Sequence, residues 1–419
     1  MRTIARVKGT QDFFDLSLFN FIIDQFKKHV ALYHFTEIQT PILEYVDLFK
    51  RSLGEYTDVV SKEMFIIDRG DRDEQICLRP EATAPTVRAF IESNMPLLPW
   101  KVFLYGPMFR YERPQKGRYR QFHQINMEVI GSQSTSQDAQ LITMLDRFFH
   151  EKLNLNNYSL QVNFIGTIED RKKYVKTLEL FLNTQEAATI CSTCVERKEK
   201  NILRIFDCKN DVCQKIYQRA PHIADHLSAE SKKEWDELKE ELSLLSISYV
   251  YNPKLVRGLD YYNKTVFEFS SENLGAQNSF CGGGRYDQLV KELGGREDYP
   301  SIGAAIGLER LMMLLEPIRD SLAFSQEPLL YVLMPLAQEQ KPLALLLADS
   351  LQAAGLAIDI LLEGDSLKNM MRKANTMKAA MALILGEQEQ ENKTVLVKNM
   401  MTGQQEEVAQ IDVVSYLAK

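Results

Sequence analysis

Residues 109–124 read FRYERPQKGRYRQFHQ and set Arg110, Arg113, Lys116, Arg118 and Arg120 against a single acid, Glu112. Arginine presents a planar fork matched to phosphate oxygens. Tyr111, Tyr119 and Phe122 interleave with the cations, which suits stacking on bases. A solvated surface hairpin is the ordinary reading of such a charge run. Here it lies between two apolar runs, WKVFLYGPMF and INMEVIG, and Pro114 and Gly117 shape its tip. Strands alternate their side chains between faces, so such a loop can hold a nucleotide phosphate at its base and nucleic acid at its tip.

Four further segments could do related chemistry. In LRPEATAP, residues 78–85, Glu81 and Thr83 are two apart and share a face if the segment is extended. A carboxylate and a hydroxyl together can receive an ammonium group; a proline-bounded turn is the plainer alternative. In LVRGLDYYNKTVFEF, residues 255–269, Arg257 precedes a glycine, and Asp260, Tyr261 and Tyr262 follow at the start of a strand. That is either a cation–π packing cluster or a loop free to meet a ligand. CGGGRYDQL, residues 281–289, has three glycines over which a backbone can approach a ligand closely. It is not the Rossmann fingerprint, and no Walker-type sequence occurs. GAAIGLERL, residues 303–311, places Arg310 in the first turn of a helix behind a floor of small residues.

Cys191, Cys194, Cys208 and Cys213 form a C-x₂-C-x₁₃-C-x₄-C pattern. Two close pairs across a short span match a structural zinc site. The helical look of the intervening ERKEKNILRIF speaks instead for free cysteines in a small helical domain. Cys77 and Cys281 sit in apolar strand contexts and read as core.

The elements around these segments suggest how they are held. Leu16, Phe19, Ile22, Ile23, Phe26, Val30 and Phe35 give an amphipathic helix. FTEIQTPILE follows as a short strand and then Pro41, QDAQLITMLDRFFH returns to helical periodicity, and YSLQVNFIG reads as a buried strand. From about residue 170 to 250 the chain turns charged and helix-prone, as a separate insertion would. PIRDSLAFSQEP, residues 317–328, reads as a linker. Beyond it strands and helices alternate through LLYVLMPL, QKPLALLLADSLQAAG, LAIDILL, SLKNMMRKANTMKA, MALILG, KTVLVKN and IDVVSYLA, which predicts a small α/β domain with a mainly parallel sheet.

The 419 residues suffice for two or three domains, with 45% hydrophobic residues to build their cores. The net charge of −7 does not exclude nucleic acid, because the basic residues are grouped. No run of 18 apolar residues predicts a membrane span. MRTIARVKGTQDFF lacks the apolar core of a secretory signal, and six cysteines in a chain this long do not suggest a disulfide framework. A cytoplasmic location is expected.

Taken in this order and spacing, the segments resemble the class II aminoacyl-tRNA synthetases, and in detail the histidyl-tRNA synthetases. TPILE resembles motif 1 of the class, FRYERPQKGRYRQFHQ motif 2 with its loop, and GAAIGLERL motif 3. RPEAT, RGLDYY and GGGRYD resemble segments of the histidine-specific family. The resemblance implies an α/β protein. Residues 1–320 would form an α+β catalytic domain with an antiparallel sheet and a helical insertion at about 170–252. Residues 328–419 would form an α/β anticodon-binding domain. It implies ATP with Mg²⁺, L-histidine and tRNA(His) as partners, and a homodimer built across motif 1. By the same resemblance Arg110 and Arg257 serve catalysis at the α-phosphate, and Arg110, Glu112, Arg118, Phe122 and Arg310 bind ATP. Glu81, Thr83 and Gln124 surround the histidine ammonium, and Glu128 and Tyr262 address the imidazole. Tyr261 lies beside them but alternates to the other face unless the strand twists. Gln115, Arg118 and Arg120 approach the tRNA acceptor end. No protein ligand for an active-site metal is implied, and the family does not generally require zinc. The regulatory relatives that partner ATP phosphoribosyltransferase generally lack the C-terminal domain and an intact RGLDYY. RGLDYY and the position of Glu128 also argue against threonine-, proline- or glycine-specific synthetases.

Overall fold

A computed structural model of the chain describes residues 4–417 except 55, 56, 69–73, 94–96, 185–188, 276 and 325–327. The chain divides into two compact units, Met1–Ala323 and Phe324–Lys419. None of the helices among the described residues is long and apolar enough to cross a membrane.

The first unit is built on an eight-stranded sheet. Its order is Thr36–Glu37, Trp100–Phe109, Gln121–Ile130, Ser301–Gly307, Ser279–Arg285, Asn263–Ser270, Ser159–Phe164 and Val250–Tyr251. The six inner strands pair antiparallel, and only the outermost pair at each end is parallel. The strand Gln121–Ile130 shows how the sheet sorts its side chains. Period two places Ile125, Met127 and Val129 on one face and Gln124, Asn126 and Glu128 on the other. Behind the first face lie Ser17–Ala31 and Thr135–Arg147, helices that bury Phe26, Ile142 and Leu145 among their apolar residues. Phe26 meets Phe103 and Phe148 edge to face at 5.6 and 5.1 Å. The polar face is left to line a site.

Four helices, Ile168–Leu182, Ser192–Lys200, Asp211–Tyr217 and Ala229–Leu244, form the expected insertion. They do not make a core of their own. Tyr174, Leu178, Ile205 and Tyr217 pack in one apolar cluster with Val46, Tyr261 and Leu289. A small antiparallel sheet, Leu43–Tyr45, Ile76–Leu78 and Phe65–Ile67, adjoins this region and was not predicted. Cys77 and Cys281 are fully buried in strands.

The second unit has a five-stranded sheet in the order Ala357–Ile360, Leu330–Pro335, Met381–Leu385, Thr394–Asn399, Gln405–Ala409. Both its faces are covered: Tyr331 and Leu333 pack with Ala344 and Leu351 on one side, Val332 and Met334 with Met370 and Ala374 on the other. The expectation of a mainly parallel sheet is corrected, because two strand pairs are parallel and two antiparallel. The connections after Met381–Leu385 are too short for a parallel crossover, which needs a dozen or more residues. The predicted strands and helices of this unit all occur, while the helix Glu387–Asn392 and the strand Gln405–Ala409 were missed. Of the expected linker, Glu316–Ser321 is a short helical turn, and 325–327 lie outside the described residues, as does Ala418 at the end of the predicted last helix.

Candidate active site

The polar face of the sheet opens into a cavity of about 310 Å³. Arg110, Arg118, Arg257 and Arg310 line it, as do Glu112, Phe122, Gln124, Glu81, Thr83, Tyr261 and Tyr262. The basic loop therefore faces inward. Gln115 and Arg118 exchange backbone hydrogen bonds of 3.2 and 2.9 Å around Gly117, whose φ of +71° favours glycine. Arg118 is ion-paired with Glu112. Arg310 donates from Nε to the Gly117 carbonyl at 2.9 Å and from Nη1 to the Ser279 carbonyl at 2.6 Å. One guanidinium thus ties the loop to the glycine-rich strand. Arg110 donates to the Pro80 carbonyl at 2.9 Å and lies 5.4 Å over the Phe122 ring. Glu309, beside Arg310, accepts from the His123 backbone N–H and meets its Nδ1, each at 2.9 Å, fixing the helix start to the same strand.

Arg257 is ion-paired with Glu268 and lies across Gly282, where a Cβ would run into its guanidinium. The other glycines have similar duties. A Cβ at Gly303 would overlap the Glu128 carboxylate, and one at Gly284 would crowd Tyr262. Gly282→Ala should keep the fold, since a flexible side-chain end can move, but displace Arg257. Exchange of pyrophosphate into ATP should fall roughly 10- to 100-fold, as for a misplaced reacting group. An unchanged rate in the alanine variant would contradict this placement.

Glu81 and Thr83 line the same cavity. Glu81 does not share an extended face with Thr83, as the sequence suggested, because a helix begins at Thr83. The two meet through the cap: the Glu81 carboxylate accepts the backbone N–H groups of Thr83 and Ala84 at 2.8 and 2.9 Å. Burial pushes the Glu81 carboxyl up, against these hydrogen bonds. Glu128 stands behind the cavity wall and not on it. Its carboxylate accepts the Thr83 hydroxyl at 2.7 Å and the Tyr286 hydroxyl. Burial pushes it up to about 8, against the pull of those hydroxyls.

Tyr261 and Tyr262 both reach the cavity, with ring centroids 4.5 Å apart. Strand alternation does not apply to them, because they lie in the turn before Asn263–Ser270. Of the residues assigned to the loop tip, Arg120 lies elsewhere, and Gln115 is at the tip but outside the cavity. Arg120 stacks 3.7 Å over Tyr111 and donates to the Lys8 and Glu112 carbonyls at 3.4 Å, so it braces the N-terminal segment. Gln115 lies in a separate shallow groove with Arg6 and Lys116.

Several lining residues were missed. Asn126 shares a strand face with Gln124, a signal that period two offered. The Gln124 Oε1 and Asn126 Oδ1 atoms take no hydrogen bond from the described residues. Tyr286 does not line the cavity but holds Glu128 behind its wall, and lies in a segment singled out by its glycines. Arg204 enters the wall from the insertion, and nothing local in its sequence announces that.

The four insertion cysteines converge: their sulfurs all lie within 4.8 Å of one another. The helix Ser192–Lys200 does not separate the pairs, as its appearance in sequence suggested, because the chain turns back through Ile202–Asp207. The set fits a tetrahedral zinc ion.

The description "Histidyl-tRNA synthetase" belongs to the family model that matches residues 22–311, and an anticodon binding domain model matches 331–419. The histidine–tRNA ligase of Fervidobacterium nodosum is 43% identical over 98% of this chain and 97% of its own length. That of a Picosynechococcus species is 42% identical over 100% of this chain and 97% of its own. The crystal structure of the apo histidyl-tRNA synthetase of S. aureus superposes with a TM-score of 0.80 at 33% identity, covering all of both chains.

Proposed function

Because this chain belongs to the histidyl-tRNA synthetase family, we propose that its cavity joins L-histidine to ATP as histidyl-adenylate and then delivers histidine to the 3′ end of tRNA(His). The observation that carries this reading is the lining of the cavity: Arg110, Arg118, Arg204, Arg257 and Arg310 share it with the buried carboxylate of Glu81. Glu81 takes the histidine ammonium, with Thr83 and Gln124 beside it. Tyr261 and Tyr262 meet the ring, and Glu128 acts from behind by aiming the Thr83 and Tyr286 hydroxyls. A site that pairs every polar group of its ligand rejects isosteres that leave one unpaired.

A histidine carboxylate oxygen attacks the α-phosphorus, and the bond to the bridging oxygen breaks to release pyrophosphate. Two anions approach each other in this step, so positioned cations lower the barrier most. Arg257 and Arg110 stabilise the oxygens on the α-phosphorus, Arg118 and Arg310 hold the remaining phosphates, and Glu112 and Phe122 face the nucleotide. Mg²⁺ enters with ATP and neutralises phosphate charge. In the second step the terminal ribose hydroxyl of tRNA attacks the adenylate carbonyl and AMP leaves. Gln115, in a groove outside the cavity, is assigned to the acceptor end in this reading, and residues 331–419, which match an anticodon binding domain, to the anticodon. A cytoplasmic location and one structural Zn²⁺ on the four insertion cysteines belong to the same reading. ATP-dependent attachment of labelled histidine to a tRNA(His) transcript tests it; no charging under conditions where the protein is folded would refute it.

The active form is proposed to be a homodimer. Ile42, Leu43 and Tyr45, in and just beyond the motif 1 segment, are 40%, 53% and 53% exposed. An isologous contact would cover them. Sedimentation at micromolar concentration is expected to give twice 48.2 kDa; the single-chain mass alone would contradict it.

A further inference from the structure

We infer that the zinc bound by Cys191, Cys194, Cys208 and Cys213 is a positioning device for the catalytic cavity: it fastens both ends of the segment that carries Asn201 and Arg204 against the loop presenting Arg257. This role rests on the zinc assignment just made. The geometry favours the metal. Four thiolates about 2.3 Å from a tetrahedral zinc stand about 3.8 Å apart, and the Cys191 and Cys208 sulfurs are 3.8 Å apart. The C-x₂-C turn is closed by the Cys194 and Val195 N–H groups donating to the Cys191 carbonyl at 2.9 and 3.0 Å. Backbone N–H groups also point at sulfur: Cys191 donates to Cys213 Sγ at 3.2 Å, and Asn210 to Cys208 Sγ at 3.4 Å. Such donors stabilise thiolates.

Between the two cysteine pairs Ile202 and Ile205 are buried in the apolar cluster, but the helix before them has little to fix it. Of the helix Ser192–Lys200, only Cys194 is buried. A nine-residue polar helix is marginal by itself. Yet its continuation meets the site at two points. Asn201 Nδ2 donates to Asp260 Oδ1 at 2.8 Å. Arg204 lies on the cavity wall, held by Asp58 at 3.8 Å and Asp207 at 3.5 Å. Arg197 reaches the same Asp58 at 3.9 Å and donates to the Arg204 carbonyl at 3.0 Å. Asp260 sits three residues after Arg257 and directly before Tyr261. One hydrogen bond therefore links the cysteine-bounded segment to the loop that carries the transition-state arginine and the tyrosines. A metal that closes both ends of the segment restrains that loop.

The test uses the full chain, purified without chelator or metal-affinity tag. Elemental analysis should give about one zinc per chain, and Cys213→Ser should lower it. Zinc-free protein, made by chelation under reductant, should retain its far-UV circular dichroism. Its kcat for histidine-dependent exchange, counted per active site, should fall roughly 10- to 100-fold, the cost of misplacing a reacting group, while the histidine KM changes little; added zinc should restore it. Asn201→Ala should keep the zinc and show a kcat loss in the same direction. Near-zero zinc, whether the thiols titrate freely or have paired as disulfides, overturns the zinc assignment. Stoichiometric zinc whose removal leaves kcat within two-fold overturns the positioning role alone. Should the zinc-free chain unfold, Asn201→Ala decides: retained zinc with an unchanged kcat rejects the inference.

Discussion

Arg257→Ala is expected to lower histidine-dependent exchange of pyrophosphate into ATP by roughly 10²- to 10³-fold, the usual loss when one preorganised donor to a developing charge is removed. The side chain is about one-fifth exposed, ion-paired with Glu268, and lies over Gly282 with room for nothing larger than hydrogen. Its place is fixed before substrate arrives. The loss should therefore appear in kcat and in kcat/KM alike, as for an interaction made only in the transition state. Arg257→Lys should recover part of the rate and not all, because an ammonium cannot present a planar fork to two oxygens at once. Circular dichroism and the melting temperature should stay near those of the parent protein. A rate for Arg257→Ala within a few-fold of the parent would remove Arg257 from the reaction.

The second large effect is on stability. Asp138 and Arg285 are both fully buried, and the carboxylate accepts a hydrogen bond from Nε at 2.8 Å and is ion-paired with Nη2 at 2.7 Å. Arg285 also donates to the Ser132 and Ser134 carbonyls at 2.9 and 2.6 Å. It thereby joins the glycine-rich strand to the start of the helix Thr135–Arg147. Asp138→Ala takes the nearer of two carboxylates from a buried guanidinium and leaves Asp287 at 3.2 Å, so about 3–5 kcal/mol, the cost of a fully stranded charge, is the upper bound of the loss. For a unit spanning Met1–Ala323 that bound is a fall in melting temperature of roughly 4–8 °C. Replacing both partners with apolar residues should be milder than either single change, because no charge is then stranded. A melting temperature for Asp138→Ala within about 2 °C of the parent would show that the buried pair contributes little.

The parts of the site that the sequence made legible are those whose function is written in adjacent residues. The motif 2 hairpin declared itself by apolar runs on either side of a cationic loop, and Arg257 and Arg310 by glycine or small residues beside a strand. What escaped was set by distance along the chain or by direction. Arg204 comes from a helical insertion more than 50 residues before Arg257, and only folding brings them to one wall. Arg120 has the composition of a tip residue but stacks on Tyr111, since the loop is closed by the Gln115 and Arg118 pairing and not splayed outward. Glu128 was placed on the ligand because its strand face was right; the Thr83 and Tyr286 hydroxyls that stand before it come from two other elements. In the C-terminal unit alternation of strands and helices was visible, but the charged strand Gln405–Ala409 carries too few apolar residues to show a period.

The most direct test of the reading as a whole is exchange of labelled pyrophosphate into ATP by the purified chain, started in turn by histidine, threonine, proline, glycine and no amino acid. With Glu81, Tyr261 and Tyr262 set for histidine and the arginines for ATP, only histidine should support exchange, and Arg257→Ala should abolish nearly all of it. Exchange driven equally by another of these amino acids, or none with histidine from a folded dimer, would contradict the assignment.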